Sequence, residues 1–331
     1  MTTTFSRTRS LTTSLLALSA LTLAGAAHAV TFTIGYQKGG IPNILKALGT
    51  LDKYAAQSID FRWVLFTAGP PLLEAANAGA VDFGSVGNAP GVFALAGGAD
   101  LKYVAVSVNH SDSTEAVIVP QGSALQQVSD LKGKRVGVAR GSSAHAFLYS
   151  VLKSAGLTLS DVTVVPLLPP DARPAFESGS IDAWVVWDPY LTTTVQATGA
   201  RILRDHKGLG RGDNYHLVPS AVLTNPEKKR ALQVLLAELE NAATWANKNQ
   251  STVISQFSGE LGIPKNVLEV TVPKSVPFNI RPFRSTDLKP LQSLATAFRE
   301  AGVLPREVTF GLQSYVTLPT FKTTLVTLGL K

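Results

Sequence analysis

The chain has 331 residues, a formal charge of +7 and a pI near 9.5, with 45% hydrophobic and 16% charged residues. This length suits two domains and the apolar share can fill a sizeable core, so a disordered polyampholyte is excluded. Cysteine is absent, which excludes disulfides, thiolate metal sites, a cysteine nucleophile and a lipid-anchored N-terminal Cys.

Met1 to Ala29 reads as a cleavable secretory leader. Arg7 and Arg9 form its positive region, Leu11 to Ala24 its apolar region, and Ala27-His28-Ala29 its small-x-small cleavage site. A membrane anchor is the competing reading. Spanning takes about 20 strongly apolar residues, and Thr12, Thr13, Ser14, Ser19 and Thr22 interrupt this stretch. The paired arginines of a twin-arginine signal are missing. The expected mature chain begins at Val30 and is exported and soluble. A chain free of disulfides fits a bacterial periplasm better than a small stapled secreted module.

Beyond the leader, β-branched or aromatic runs recur. They are Thr31–Gln37, Phe61–Thr67, Val81–Ser85, Tyr103–Val108, Ala116–Pro120, Arg135–Ala139, Val162–Leu167, Ile181–Trp187 and Arg201–Leu203. Between them helices are expected over Pro42–Leu48, Pro70–Asn77, Ala89–Ala96, Ser143–Ala155, Ala172–Ser178 and Pro189–Thr198. Such alternation gives mostly parallel sheets covered on both faces. The segment Asn77–Asp82 is echoed at Glu177–Asp182, each a helix end with Gly, a β-branched residue and Asp. Two similar α/β lobes would produce this echo, although αβ units also look alike by chance.

After Asn214–Leu223 the pattern turns helical. Asn225-Pro226-Glu227 reads as an N-cap, Pro at the first helical position and a first-turn acid, ahead of a stripe of Leu232, Leu235, Leu236, Leu239 and Ala243. A further helix is expected over Asp287–Ala301, with Leu291, Leu294, Ala295 and Phe298 on one face. These helices are expected on the first lobe, with crossings between lobes near Ser111–Glu115 and Gly210–Tyr215. The resulting division is residues 30–114 and 215–331 in lobe 1 and 115–214 in lobe 2. The basic residues are scattered, with no basic helix interleaved with aromatics, so a solvated surface is a better reading than nucleic-acid binding.

No HExxH, GxSxG, P-loop or EF-hand pattern is present. His110, His145, His206 and His216 lie at no metal-ligand spacing from one another. Ser142 and Ser143 stand too close to His145 in sequence for the usual nucleophile–base pair. What remains is a set of loops between strand ends and helix starts: Gln37–Gly40, Ala68–Pro71, Gly87–Pro90, Arg140–Ser143 and Trp187–Tyr190. Ligands bind open parallel sheets at the carboxyl ends of the strands, and helix N-termini there favour an oxyanion. Each loop alone also reads as a simple cap or turn, with Asn88, Asp188 and Ser142 or Ser143 as capping residues.

Gly35-Tyr36-Gln37-Lys38-Gly39, Ala68–Ala75, Asp82–Pro90, Lys134–Ser143, Asp171–Phe176 and Ile181-Asp182-Ala183-Trp184-Val185-Val186-Trp187-Asp188-Pro189-Tyr190 occur in that order over nearly all of the expected mature chain. In these blocks the chain resembles the substrate-binding proteins of aliphatic sulfonate ABC importers, within the sulfonate, taurine and nitrate group. The resemblance implies an α/β type II periplasmic binding protein fold, two lobes with a ligand cleft between them and the C-terminal helices packed on lobe 1. It implies capture of a small sulfonate anion for sulfur acquisition and delivery to a transmembrane permease driven by an ATPase. The leading reading is a binding protein with no catalysis, expected to be monomeric and to need no cofactor, metal or nucleic acid.

Carried over residue by residue, Gln37, Lys38 and the Gly87-Asn88-Ala89 turn would meet the ligand from lobe 1. Ser142 and Ser143 would bind sulfonate oxygens from lobe 2, Trp187 would wall the alkyl chain, and Asp188 would cap its helix or orient a donor. Gly39, Gly69, His145 and Arg173 are further candidates, with Lys38 and Arg173 also able to pair with Glu74 or Glu177. The family often has Asp where this chain has Asn88, which points to a substrate without an amine, a simple alkanesulfonate. Taurine, nitrate, bicarbonate or a pyrimidine precursor of thiamine are the alternative ligands. An enzyme on the same fold, or a ligand-sensing module, is the alternative class.

Overall fold

The computed structural model describes residues 1–4 and 29–321. The expected leader therefore lies, except for its ends, outside the described residues. The strands are β1 Val30–Tyr36, β2 Ile59–Leu65, β3 Phe83–Val86, β4 Leu101–Ser107, β5 Glu115–Val119, β6 Arg135–Val138, β7 Thr163–Pro166, β8 Ala183–Trp187, β9 Arg201–Asp205, β10 Asn214–Pro219 and β11 Arg281–Pro282. The helices are α1 Gly40–Leu48, α2 Gly69–Asn77, α3 Asn88–Ala96, α4 Ser143–Ser154, α5 Pro169–Glu177, α6 Tyr190–Thr198, α7 Ser220–Thr224, α8 Pro226–Lys248, α9 Gln250–Gln256, α10 Ser258–Leu261, α11 Lys265–Ser275 and α12 Leu288–Glu300. No helix among the described residues is long and apolar enough to cross a membrane.

Two mixed sheets result, in the orders β11-β4-β10-β3-β1-β2 and β7-β6-β8-β5-β9. The parallel cores β3-β1-β2 and β8-β6-β7 have the same arrangement. Both faces of each sheet are covered, as period-2 alternation requires. Along β5, Val117 and Val119 enter one core cluster and Ala116 and Ile118 the opposite one. The chain leaves the first sheet after Ser107 and returns to it at Asn214, with 115–205 forming the second sheet. The two connecting segments run side by side. The Asn109 backbone N–H donates to Asp213 Oδ1 at 3.0 Å, and an Arg211 guanidinium N–H donates to the His110 carbonyl at 2.6 Å.

The sequence echo has a physical counterpart. Asp82 Oδ2 accepts from the Thr33 N–H at 2.9 Å and the Asp82 N–H donates to the Thr33 carbonyl at 2.8 Å. Asp182 repeats both bonds with Arg135, each at 2.8 Å. Thr33 and Arg135 lie on the equivalent strands β1 and β6. Gly79 and Gly179 precede these clamps with φ of 77° and 73°, a region that L side chains disfavour. Each carboxylate also meets a cation, Lys228 at 2.6 Å for Asp82 and Arg135 at 2.8 Å for Asp182.

Helix α8 starts where Asn225 Oδ1 accepts from the Glu227 and Lys228 N–H groups, both at 3.0 Å. Its leucine stripe is buried on one face of the first sheet, while Leu291, Ala295 and Phe298 of α12 are buried on the other. The stretch α9–α11 carries no element in the sequence reading. These helices are short and Pro264 and Pro273 interrupt them, so packing of Val253, Leu261, Leu268 and Val272 into the core holds them in place.

Candidate functional site

A cavity of about 230 Å³ lies between the two sheets. The carboxyl ends of β1 and β3 face it from the first sheet and those of β6 and β8 from the second, through the loops that follow them. Five helices present their first residues or their capping residues to it. Gly39 and Gly40 begin α1, Gly69 begins α2, Gly87 caps α3, Ser142 and Ser143 open α4, and Asp188 and Pro189 precede α6. The first-turn N–H groups of a helix have no intrahelical acceptor and carry a partial positive charge. Five such ends at one cavity make a setting for an anion.

The structure brings Gln37, Lys38, Gly39, Gly69, Gly87, Ser142, Ser143, Trp187 and Asp188 to the cavity wall. Gln37 is held by its Nε2, which donates to the Ser85 carbonyl at 3.1 Å. Lys38 pairs with no carboxylate among the described residues, and its Nζ donates to the Gly262 carbonyl at 3.0 Å. Ser142 caps α4: its hydroxyl donates to the Ala139 carbonyl at 2.6 Å and accepts from the His145 N–H at 3.4 Å. The Ser143 hydroxyl donates to Glu115 Oε1 at 2.8 Å. Gly87 packs directly on the second lobe, since a Cβ there would stand 2.7 Å from Ser143 Cβ.

Four expected site residues are placed elsewhere. Ala89 is fully buried in the core of the first sheet. Asn88 is the first residue of α3, not its cap, and its amide packs against Gly212 of the returning connection. His145 points away from the cavity, between Phe93 and Phe298 at ring distances of 6.0 and 5.4 Å, and its Nδ1 accepts from the Gly141 N–H at 3.2 Å. Burial, assisted by Arg140, pulls its imidazole down to about 4. Arg173 forms the i,i+4 pair with Glu177 at 2.8 Å on α5, as one of its two sequence readings allows.

Other lining residues carry no sequence-stretch signal of their own. Glu115 opens β5, whose five residues are all buried, and an acid heading so apolar a run is the one available cue. Its Oε2 lies 3.0 Å from His206 Nε2. His206 Nδ1 donates to the Gly210 carbonyl at 2.8 Å, so Nδ1 carries a proton. Burial pulls His206 down, but the Glu115 carboxylate, the Gly210 carbonyl and Asp112 outweigh it and leave the ring above its ordinary value. Asp188 is matched in the same way. Its Oδ1 accepts from the Thr192 N–H at 2.9 Å and hydroxyl at 2.6 Å, and Lys274 Nζ donates to Oδ2 at 3.2 Å. Both carboxylates at the cavity are thus compensated, and Lys38 adds a cation.

An apolar part of the lining comes from α1 and α9–α11 and includes Ile41, Ile44, Leu261, Leu268 and Val272. Trp187 stands across from Glu115 in the β5–β8 pairing and meets Tyr190 edge to face at 6.2 Å. The cavity therefore joins a rim of helix N-termini to an apolar wall.

Residues 54–210 match the family described as NMT1/THI5 like. An aliphatic sulfonates-binding protein of Escherichia coli K12 is 35% identical over 296 residues, 89% of this chain and 91% of that protein. The alkanesulfonate-binding protein SsuA from Xanthomonas axonopodis pv. citri, solved bound to MOPS, superposes with a TM-score of 0.78 at 34% identity, covering 86% of this chain and 97% of that one. The periplasmic aliphatic sulphonate binding protein SsuA from Escherichia coli superposes with a TM-score of 0.73 at 33% identity, covering 84% and 94%. With its two α/β sheets, cleft and sequence blocks, this chain belongs to the family of the aliphatic sulfonate-binding proteins and has their periplasmic binding protein fold.

Proposed function

We propose that this protein is the solute-binding component of an ABC importer and captures alkanesulfonates in the cleft between its lobes, 30–114 with 215–331 and 115–214. The observation that carries this is the convergence of five helix N-termini, from both lobes, on one cavity. Gln37, Lys38, Gly39, Gly69, Gly87, Ser142 and Ser143 surround the sulfonate, and Trp187 covers the start of its carbon chain. Ligand held by both lobes favours their closure, and the closed form is what a permease and its ATPase receive. The protein acts as a monomer in the periplasm after loss of residues 1–29, in sulfur acquisition.

Taurine is the second reading within the family. Against it, Asn88 is neutral and packed on Gly212, and the Glu115 and Asp188 carboxylates already hold His206 and Lys274. No uncompensated carboxylate remains at the cavity among the described residues to take an ammonium. Catalysis is disfavoured because the Ser142 and Ser143 hydroxyls donate to Ala139 and Glu115 and His145 faces the core.

Thermal unfolding with methane-, ethane- and longer alkanesulfonates, taurine, nitrate, sulfate and a hydroxymethylpyrimidine tests this reading. A ligand at 100 times its Kd adds about 2.7 kcal/mol, a rise in Tm of several degrees for a chain of this size. The expected result is a rise with alkanesulfonates and little with taurine. A rise with the pyrimidine alone, or with none of the panel, defeats the sulfonate assignment.

A further inference from the structure

Glu115 and His206 meet where the two connections between the lobes join the second sheet. Glu115 opens β5 just after the first connection, and His206 follows β9 at the start of the second. Both line the cavity, and each side chain is 7% exposed. Their hydrogen bonds fix how many protons they hold. His206 Nδ1 donates to the Gly210 carbonyl, which can only accept, at 2.8 Å. Its Nε2 stands 3.0 Å from Glu115 Oε2. A bare imidazole nitrogen and a bare carboxylate oxygen repel at that distance, so one further proton lies between them. Whether nitrogen or oxygen carries it, the pair as a whole has no net charge.

This neutral pair adjoins the rim of helix N-termini. Glu115 Oε1 accepts from the hydroxyl of Ser143, which opens α4 at the cavity. Phe147 of the same helix stacks on the His206 ring at 4.0 Å and 30°. Asp112 of the first connection is the other acid acting on the ring, and Arg211 pairs with it at 3.4 Å. Asp205 and Lys207 flank His206 in the chain, with Asp205 Oδ1 accepting from the Lys207 N–H at 3.0 Å. Among the described residues no Lys or Arg pairs with Glu115, so His206 alone masks its charge.

We propose that His206 determines specificity at this cavity: the proton it shares with Glu115 masks that carboxylate, so the wall beside Ser143 admits a sulfonate with an uncharged substituent and discriminates against one bearing an ammonium. The inference rests on the sulfonate reading and names the residue that separates two substrate classes within it. Charges interact strongly where little water screens them, so the effect needs no direct contact between Glu115 and the substituent. While the carboxylate is masked, an ammonium in the cavity is desolvated without a counter-charge. An unmasked Glu115 would attract the ammonium and repel the sulfonate group of every ligand.

The test compares taurine with propane-1-sulfonate, which match in size and differ by an ammonium in place of a methyl. Calorimetric titration at pH 7 gives the ratio of their affinities. The wild-type protein is expected to favour propanesulfonate. His206→Gln keeps an N–H donor for Glu115 but brings no charge, and the ratio is expected to move toward taurine by about tenfold. Glu115→Gln, alone and combined with His206→Gln, leaves no carboxylate to unmask and is expected to retain the wild-type preference. Three results overturn the proposal while leaving the sulfonate reading intact: a wild-type protein that favours taurine, a ratio unchanged in His206→Gln, or a shift that persists in the double variant, which would trace it to cavity shape. Failure of both sulfonates to bind the wild-type protein defeats the sulfonate reading as well.

Discussion

Lys274 and Asp188 meet across the cleft, Nζ to Oδ2 at 3.2 Å, although 86 residues separate them in the chain. Lys274 lies on α11, packed with the first sheet, and Asp188 follows β8 of the second. Beside them Gln196 of α6 and Asn266 of α11 exchange two hydrogen bonds, at 3.2 and 2.6 Å. These contacts join the lobes, and they can exist only when the lobes are together.

Loss of this latch is expected to weaken ligand binding. Lys274→Met removes the cross-lobe bond and leaves the Asp188 carboxylate uncompensated beside the bound anion. Affinity for an alkanesulfonate should fall about tenfold, a cost of about 1.4 kcal/mol and modest for a half-buried pair. Calorimetric titration of both proteins measures this, and equal affinities would mean the latch contributes nothing to closure.

Gly87 sets how closely the lobes approach. A methyl at this position would stand 2.7 Å from Ser143 Cβ. Gly87→Ala should therefore hold the lobes apart while leaving each intact. Small-angle scattering is expected to show little ligand-induced contraction in this variant, with sulfonate affinity at least tenfold lower. A wild-type contraction would place the closing contact elsewhere.

The histidines give stability a pH dependence of two signs. His145 and His216 are buried neutral, with folded values near 4 and 3. The unfolded chain takes up these protons below about pH 6.5. Stability should fall as pH drops from there toward the folded values, by up to about 1.4 kcal/mol per pH unit for each histidine. His206 works the other way. Its raised folded value means that its pairing with Glu115 stabilises fully below the unfolded value near 6.5 and is lost as pH rises through the folded one. Urea unfolding from pH 5 to 9 should show His206→Gln losing most stability at the acid end, with the deficit narrowing toward pH 9. A constant deficit would mean that the pair is not charged in the folded protein.

The two aspartate clamps should differ in energy. Their backbone bonds match, but the Asp82 side chain is 9% exposed and that of Asp182 30%. Asp82→Ala leaves the Thr33 N–H and the partly exposed Lys228 without their acceptor and should cost about 2 kcal/mol. Asp182→Ala should cost about half as much, because water reaches the groups it abandons. Chemical denaturation of the two variants ranks them, and an equal or reversed order would show that the exposure difference does not govern the clamps.

What the sequence by itself determined is local. The alternation of strands and helices is written in runs such as Ala116–Pro120, whose residues face opposite cores in turn, and in the Asn225 cap and leucine stripe of α8. The five loops that line the cavity were legible for the same reason, since strand end, turn and helix start lie within a few residues of one another. Within those loops, tertiary packing decided which side chain turned inward. Gly87 meets Ser143 while Asn88 turns to Gly212, and His145 enters an aromatic cluster built by α3 and α12. Glu115 with His206, Asp188 with Lys274, and His216 with Ser107 are separated by 91, 86 and 109 residues. Helical and strand periodicities relate only near neighbours, so these pairs, and the apolar wall of α9–α11, exist only once the two sheets have closed their cores and brought distant chain segments within bonding distance.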